Sequence, residues 1–133
     1  MKRTPLLPKK SKRLRAAEAV RSQWIAARGC ETYCWFPGCG HALTDTHEML
    51  RGPCRQAAML HPAACCMRFC REHHEEVGGW PLHKQLALHA IVAPLDYDPA
   101  LVFSLKFPDM TLANFIAERA KIEEYVQQLE ARR

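Results

Sequence analysis

The sequence predicts an α+β fold, with short strands and turns set between helices. Three observations predict it. Apolar residues recur every three or four positions near both ends of the chain, which marks helices there. Residues 30–79 differ in texture: they hold all seven cysteines and five of the seven histidines. Turn signals at "PGCG", "RGP" and "VGGW" cut that middle into short pieces. At 133 residues the chain suits one compact domain with appendages. It divides into a basic arm and helix (1–29), a Cys/His-rich core (30–80) and a helical C-terminal extension (81–133).

Residues 1–10 carry Pro5 and Pro8 among charges and are expected to be mobile. From Ser11, the residues Leu14, Ala17, Val20, Trp24 and Ala27 share one helical face, and Gly29 is placed to end it. Thr44, Thr46 and Leu50 favour extended backbone, so a strand or hairpin is expected near 42–50. A loop follows over 51–64, then a second short strand through 66–69. A short helix over 71–77 is closed by Gly78-Gly79. Pro81 suits the first turn of the next helix, which carries Leu82, Leu86, Ile91 and Val92 before Pro94 stops it. "APLDYDPALVFSLKFPDM" is read as a connector. The last helix starts near Thr111. Its stripe of Leu112, Phe115, Ile116, Ile122, Val126 and Leu129 is core or a helix–helix seam, with a dimer contact as the alternative.

Charge is unevenly placed. Residues 1–28 hold nine Lys/Arg and one acid, a net +8, while the remainder holds ten basic and thirteen acidic residues, a net −3. A basic arm on a slightly acidic body points to a polyanion, with Lys9, Lys10, Lys12, Arg13 and Arg15 as contacts; a solvated tail is the plainer alternative. No run approaches the roughly 20 apolar residues of a membrane span. No apolar stretch follows the basic N-terminus as it would in a secretory signal. The chain is therefore expected to be soluble and cytoplasmic. An odd cysteine count in a reducing compartment favours metal binding or free thiols over a disulfide framework.

Two pairs stand out as metal ligands. Cys34 and Cys39 flank "WFPG", and Cys70 and His73 enclose Arg71-Glu72. Together they offer Cys3His, a normal set for structural zinc. Cys30 and His41 compete for places in that set, and Cys54 and Cys66 are left over. His74 follows His73 directly. Adjacent helical residues point about 100° apart, so one ion rarely takes both. The two histidines are expected to serve two sites.

A second cluster lies upstream in "TDTHEMLRG", residues 44–52. That strand, a loop, and "RFCREHHE" on a helix together resemble the HNH endonucleases, in particular their small phage and prophage members. The resemblance covers about residues 30–90. It implies a ββα-metal (His-Me finger) core clamping one catalytic ion, with the two Cys/His pairs as a flanking structural zinc. It implies DNA as partner, Mg²⁺ or another divalent ion as cofactor, and a bacterial host cell if the chain is phage-encoded. His47 matches the family's first histidine and His74 its last. A neutral imidazole can take a proton from water at cellular pH, so His47 is read as general base and His74 as a ligand of the catalytic ion. In the alternative register His47 ligates and Glu48 takes the proton.

One position departs from the family pattern. Its middle asparagine corresponds to Cys65, and a thiol has no carbonyl to orient a base or join a hard-metal shell. A thiolate there would favour a softer ion such as zinc over Mg²⁺. His61, in the same loop, is either a substitute or a surface histidine. Asp45 is an outer-sphere contact or a turn cap. Arg51 is a phosphate contact or a solvated arginine. Arg68 and Arg71 line a groove or pair with nearby glutamates. Trp24, Trp35 and Trp80 are read as core rather than base-stacking platforms, and His83 and His89 as surface or structural. Two other functions compete with the nuclease: a zinc-stabilised DNA-binding module without catalysis, and a metal or redox sensor using the surplus thiols.

Overall fold

The computed structural model describes residues 11–132; the expected mobile segment 1–10, with Lys9 and Lys10, lies outside them. Among the described residues the order is α1 (Lys12–Ala26), β1 (Asp45–Glu48), a 3-10 turn (Gly52–Cys54), α2 (Arg55–Met59), α3 (Pro62–Cys65), β2 (Cys66–Phe69), α4 (Arg71–Gly78), α5 (Leu82–Val92), α6 (Pro99–Lys106) and α7 (Leu112–Glu130). Helices therefore surround one small sheet, as an α+β chain requires.

Ser11 starts α1 by accepting the Leu14 N–H at 3.0 Å, satisfying one donor of the first turn. Ala17 is the residue this helix buries fully, and α1 rests on α2 and α3. The helix ends at Ala26, and Gly29 only closes a following turn by donating to the Ala26 carbonyl.

β1 and β2 pair antiparallel, with Asp45 opposite Phe69, His47 opposite Met67 and Glu48 opposite Cys66. The first strand is shorter than the expected 42–50. Ala42 instead forms an isolated bridge with Tyr33, closing the preceding loop on itself. Cys70 then turns the chain into α4 as its N-cap. Gly78 and Gly79 do not end α4 in the left-handed conformation expected of them; Gly79 keeps a right-handed helical conformation and donates back to Glu76, while Trp80 donates to Val77.

Two segments read as irregular are helical. Residues 51–64 contain a 3-10 turn and two short helices, because alanines at 57, 58, 63 and 64 favour helix and Ala58, Met59 and Ala64 can be buried. The connector after Pro94 contains α6. Asp98 accepts the Leu101 N–H at 3.1 Å, Pro99 occupies the first turn, and Val102 and Phe103 face the core. The α7 stripe also needs trimming. At about 100° per residue, Phe115, Ile122, Val126 and Leu129 cluster on one side. Leu112 and Ile116 fall off its edge and stay 74% and 60% exposed.

The core is continuous from the ribbon into the C-terminal helices. Met67 and Phe69 of β2 join Leu86 and Leu88 of α5, Val102 and Phe103 of α6 and Ile122 of α7 in one apolar cluster. Trp24, Trp35 and Trp80 are only partly buried. Trp24 meets Trp35 edge-on at 6.2 Å, with the Arg28 guanidinium 4.6 Å above Trp24. No helix among the described residues is long and apolar enough to cross a membrane.

His89 of α5 was read as surface or structural; it is wholly buried, and neither ring nitrogen has a partner of good geometry. Burial drives its pKa down to about 4, with the Ala63 carbonyl and Asp96 pulling it slightly back. In the unfolded chain a histidine titrates near 6.5. Between those values the unfolded state binds the extra proton, so folding stability falls as pH drops from about 6.5 towards about 4 and then levels. The full loss is about 3 kcal/mol. Urea unfolding across that window, compared with His89→Leu, is expected to show the slope in the parent and a flatter profile in the variant.

Candidate metal centre and histidine cleft

Cys34 and Cys39 lie on a loop that folds back on itself: Cys34 donates its N–H to the His41 carbonyl, and Leu43 donates to Thr32. Gly38 and Gly40 have φ of +77° and +72°, a conformation that L side chains rarely adopt, so the chain curls tightly around Cys39. The Trp35 N–H bonds the Arg68 carbonyl and ties this loop to β2. Cys70 and His73 come from the first turn of α4, at its N-cap and third helical position.

These four side chains converge, with all four donor atoms within 4.8 Å of one another. Cys39 Sγ lies 3.8 Å from Cys70 Sγ, and His73 Nδ1 lies 3.3 Å from Cys70 Sγ and 3.7 Å from Cys34 Sγ. Ligands on a tetrahedral ion with bonds of about 2.0–2.3 Å stand about 3.5–3.8 Å apart. The donor set thus matches a metal such as zinc in both spacing and chemistry. Neither Cys30 nor His41 belongs to the group. Around it, the Phe36 N–H points to Cys34 Sγ at 3.5 Å, and the Phe36 ring stacks on His73 at 4.0 Å, fixing the imidazole plane. The His73 backbone N–H pulls the Cys70 thiol down to about 6, which favours the thiolate a metal needs; burial pushes Cys34 the other way, to about 11.

His74, one residue further along α4, points elsewhere. Its Nδ1 lies 2.8 Å from Asp45 Oδ2, and Arg71 Nε reaches the same oxygen at 2.8 Å. The bond from His74, helped by Arg71, holds the Asp45 carboxyl below its ordinary range, so Asp45 is an ionised acceptor. His74 Nδ1 therefore carries the hydrogen, and in the neutral ring Nε2 holds a free lone pair, the usual arrangement of a metal-ligating histidine backed by a carboxylate.

Asp45 and His47 alternate with Thr46 on β1, so both face α4. The His47 and His74 rings approach edge-on with centroids 5.2 Å apart. His47 is 1% exposed; burial, then the nearby His74 and Arg51, lower its pKa, so it is a neutral ring at cellular pH. Its Nε2 meets Gln85 Oε1 at 2.7 Å. Beside it runs a cleft of about 210 Å³ whose lining includes His47, Glu48, Arg51, Gly78, Gln85 and Lys106. Arg51 approaches Gly78 so closely that a Cβ there would lie 3.4 Å from the guanidinium.

Glu48 also borders that cleft, but its carboxylate is turned away from the two rings: it pairs with Arg21 at 2.6 Å and accepts from Arg55 Nε at 2.6 Å. Two guanidiniums occupy its carboxylate, which suits structure rather than proton transfer. Its replacement by glutamine is expected to cost about 1–2 kcal/mol in urea unfolding. Cys65 is buried and its pKa rises to about 12 through burial, so it is a neutral thiol and not the soft thiolate ligand considered from sequence. His61 is exposed. Lys12, Arg13 and Arg15 are exposed on the first turns of α1.

Sequence reasoning missed Gln85 and Lys106. Gln85 is one of several polar residues in "LHKQLALHA", and nothing in that pattern sets it apart. Lys106 lay in the supposed connector. What the fold and site define is an α+β protein with a candidate Cys3His metal centre and, beside it, a pair of histidines of which His47 lines a cleft. No protein-family model, curated protein or solved structure matches the chain.

Proposed function

We propose that the protein is a metal-dependent DNA endonuclease of the HNH type, built on a ββα-metal core that a structural zinc at Cys34, Cys39, Cys70 and His73 holds in place. One observation carries the reading: the strand histidine His47 and the helix histidine His74 meet with ring centroids 5.2 Å apart, next to that cluster. A pure binding module needs neither ring.

In this reading His47 takes a proton from a water molecule. The resulting hydroxide attacks phosphorus, a new P–O bond forms, and the ester oxygen departs with its electron pair and is protonated by solvent. His74, oriented by Asp45, and the Asp45 carboxylate would hold a divalent ion, Mg²⁺ or another. That ion, when bound, stabilises charge on the scissile phosphate and leaving oxygen. Arg51 and Lys106 border the cleft and offer positive charge to the phosphate backbone. Lys12, Arg13 and Arg15 extend that charge along α1, so DNA affinity is expected to fall steeply with salt.

The test is nicking of supercoiled plasmid with Mg²⁺, Mn²⁺, Zn²⁺ or EDTA present. Cleavage with at least one ion and none with EDTA supports the reading. DNA binding without cleavage under every ion supports the second reading, a zinc-stabilised DNA-binding module without catalysis. The buried Cys65 thiol, which offers no carbonyl where the family carries asparagine, favours that alternative. Glu48→Gln separates the two registers for the base: nicking within a few-fold of the parent is expected, whereas loss of cleavage in a folded variant would return the role to Glu48.

A further inference from the structure

We infer that Gln85 is a positioning residue that fixes the tautomer of His47, leaving Nδ1 as the nitrogen that receives the proton. The tautomer stands on geometry alone; the proton transfer rests on the nuclease reading above.

The argument starts from the amide. Gln85 is 6% exposed and comes from α5, outside the strand–helix unit that carries His47 and His74. Its Nε2 donates to the Trp80 carbonyl at 2.9 Å. An amide turned the other way would set two carbonyl oxygens against each other. Oε1 is therefore the atom that faces His47, at 2.7 Å from Nε2. A carbonyl oxygen only accepts, so His47 Nε2 must bear the hydrogen. In a neutral imidazole the other nitrogen then holds the lone pair. That nitrogen, Nδ1, is buried and has no hydrogen-bond partner among the described residues. A buried acceptor left empty is costly, and, unlike His89 with its two empty nitrogens, His47 lines a cleft from which the place can be filled. A water waiting to lose its proton would fill it.

Two links hold the amide in turn. The Trp80 carbonyl lies in the turn between α4 and α5, just after the helix that carries His74. Leu86 and Leu88, on either side of the next turn of α5, are fully buried, so the helix that presents Gln85 is anchored in the core. The carbonyl that Cys65 cannot supply thus reaches His47 from a different helix.

The experiment uses full-length, zinc-loaded protein labelled with ¹⁵N-histidine. Long-range ¹H–¹⁵N spectra are recorded near pH 8, above the ordinary histidine pKa of about 6.5, for the parent, Gln85→Met and Gln85→Glu. The parent and Gln85→Glu, which keeps an acceptor, are expected to show His47 as the Nε2–H tautomer. Gln85→Met keeps the shape but no acceptor, and is expected to shift towards the Nδ1–H form or a mixture. In plasmid nicking Gln85→Met is expected to lower kcat by about 10- to 100-fold with KM within a few-fold, and Gln85→Glu to restore most of the rate. An Nδ1–H tautomer in the parent, or an unchanged tautomer in Gln85→Met, overturns the proposal. The expected spectra from a parent that cleaves with no ion would sink the proton-transfer role and the nuclease reading together, while upholding the tautomer assignment.

Discussion

Removal of metal from this protein is expected to collapse the loop that holds Cys34 and Cys39 and to loosen α4. The reason is local. Between Tyr33 and Ala42 the chain buries Cys34 alone: Trp35, Phe36 and Cys39 only border the core, Tyr33 is exposed, and Gly38 and Gly40 bear no side chain. Its order rests on a few backbone bonds and on whatever joins its two thiols to Cys70 and His73. Structural zinc contributes about 10–16 kcal/mol in small domains that do not fold without it. Here α5, α6 and α7 keep their own apolar contacts, so the loss is expected to be smaller, about 3–6 kcal/mol, and uneven along the chain. Protein purified in zinc should carry one ion per chain by elemental analysis. Chelation should lower the urea midpoint and expose the amides of residues 32–43 and 70–78 to hydrogen exchange before those of α5 and α7. Cys70→Ala should cost more than Cys39→Ala, because the Cys70 sulfur is buried and lies against both His73 and Cys39. A chelated protein with an unchanged midpoint would remove zinc from the structural account.

The sequence was most legible where side-chain chemistry and backbone signals agreed. β2 and α4 fell close to their expected bounds because Cys66, Met67 and Phe69 are apolar residues in a short run between helices and "CREHHEEVGG" is a polar helix with a stop. The four candidate metal ligands could be picked out because thiols and imidazoles at short spacings have few other uses. What escaped was whatever depends on distant packing. The alanines of α2 and α3 carry weak periodicity over four or five residues, too short to separate from loop. α6 carries an Asp-Pro start, but Pro94, Pro99 and Pro108 make the stretch around it read as a connector. Gln85 could be recognised as important only once the fold set it 2.7 Å from His47, 38 positions away in sequence. Glu48 looked like a base because it adjoins His47; the strand alternation that sends neighbours to opposite faces separates them.

His47→Ala and His74→Ala are both expected to abolish detectable nicking, for different reasons that one titration separates. Loss of a general base typically slows a reaction by about 10²–10⁴-fold. His47→Ala should show that loss at every ion concentration, because among the described residues the neighbouring carboxylates are already paired: Glu48 is held by two arginines, and Asp45 by Arg71 and His74. His74→Ala removes one proposed ligand and leaves Asp45 paired to Arg71. Its defect should therefore lie first in ion affinity, and raising the divalent ion should recover part of the rate. The double variant should be little worse than His47→Ala alone, because residues acting in one step do not add. Each variant must first be shown to be folded, since His47 fills a buried site against Phe69 and Gln85. Zinc content and hydrogen exchange of β2 provide that control. Cleavage persisting in both single variants, with EDTA still blocking it in the parent, would place the chemistry elsewhere on the molecule and dissolve the role assigned to the pair.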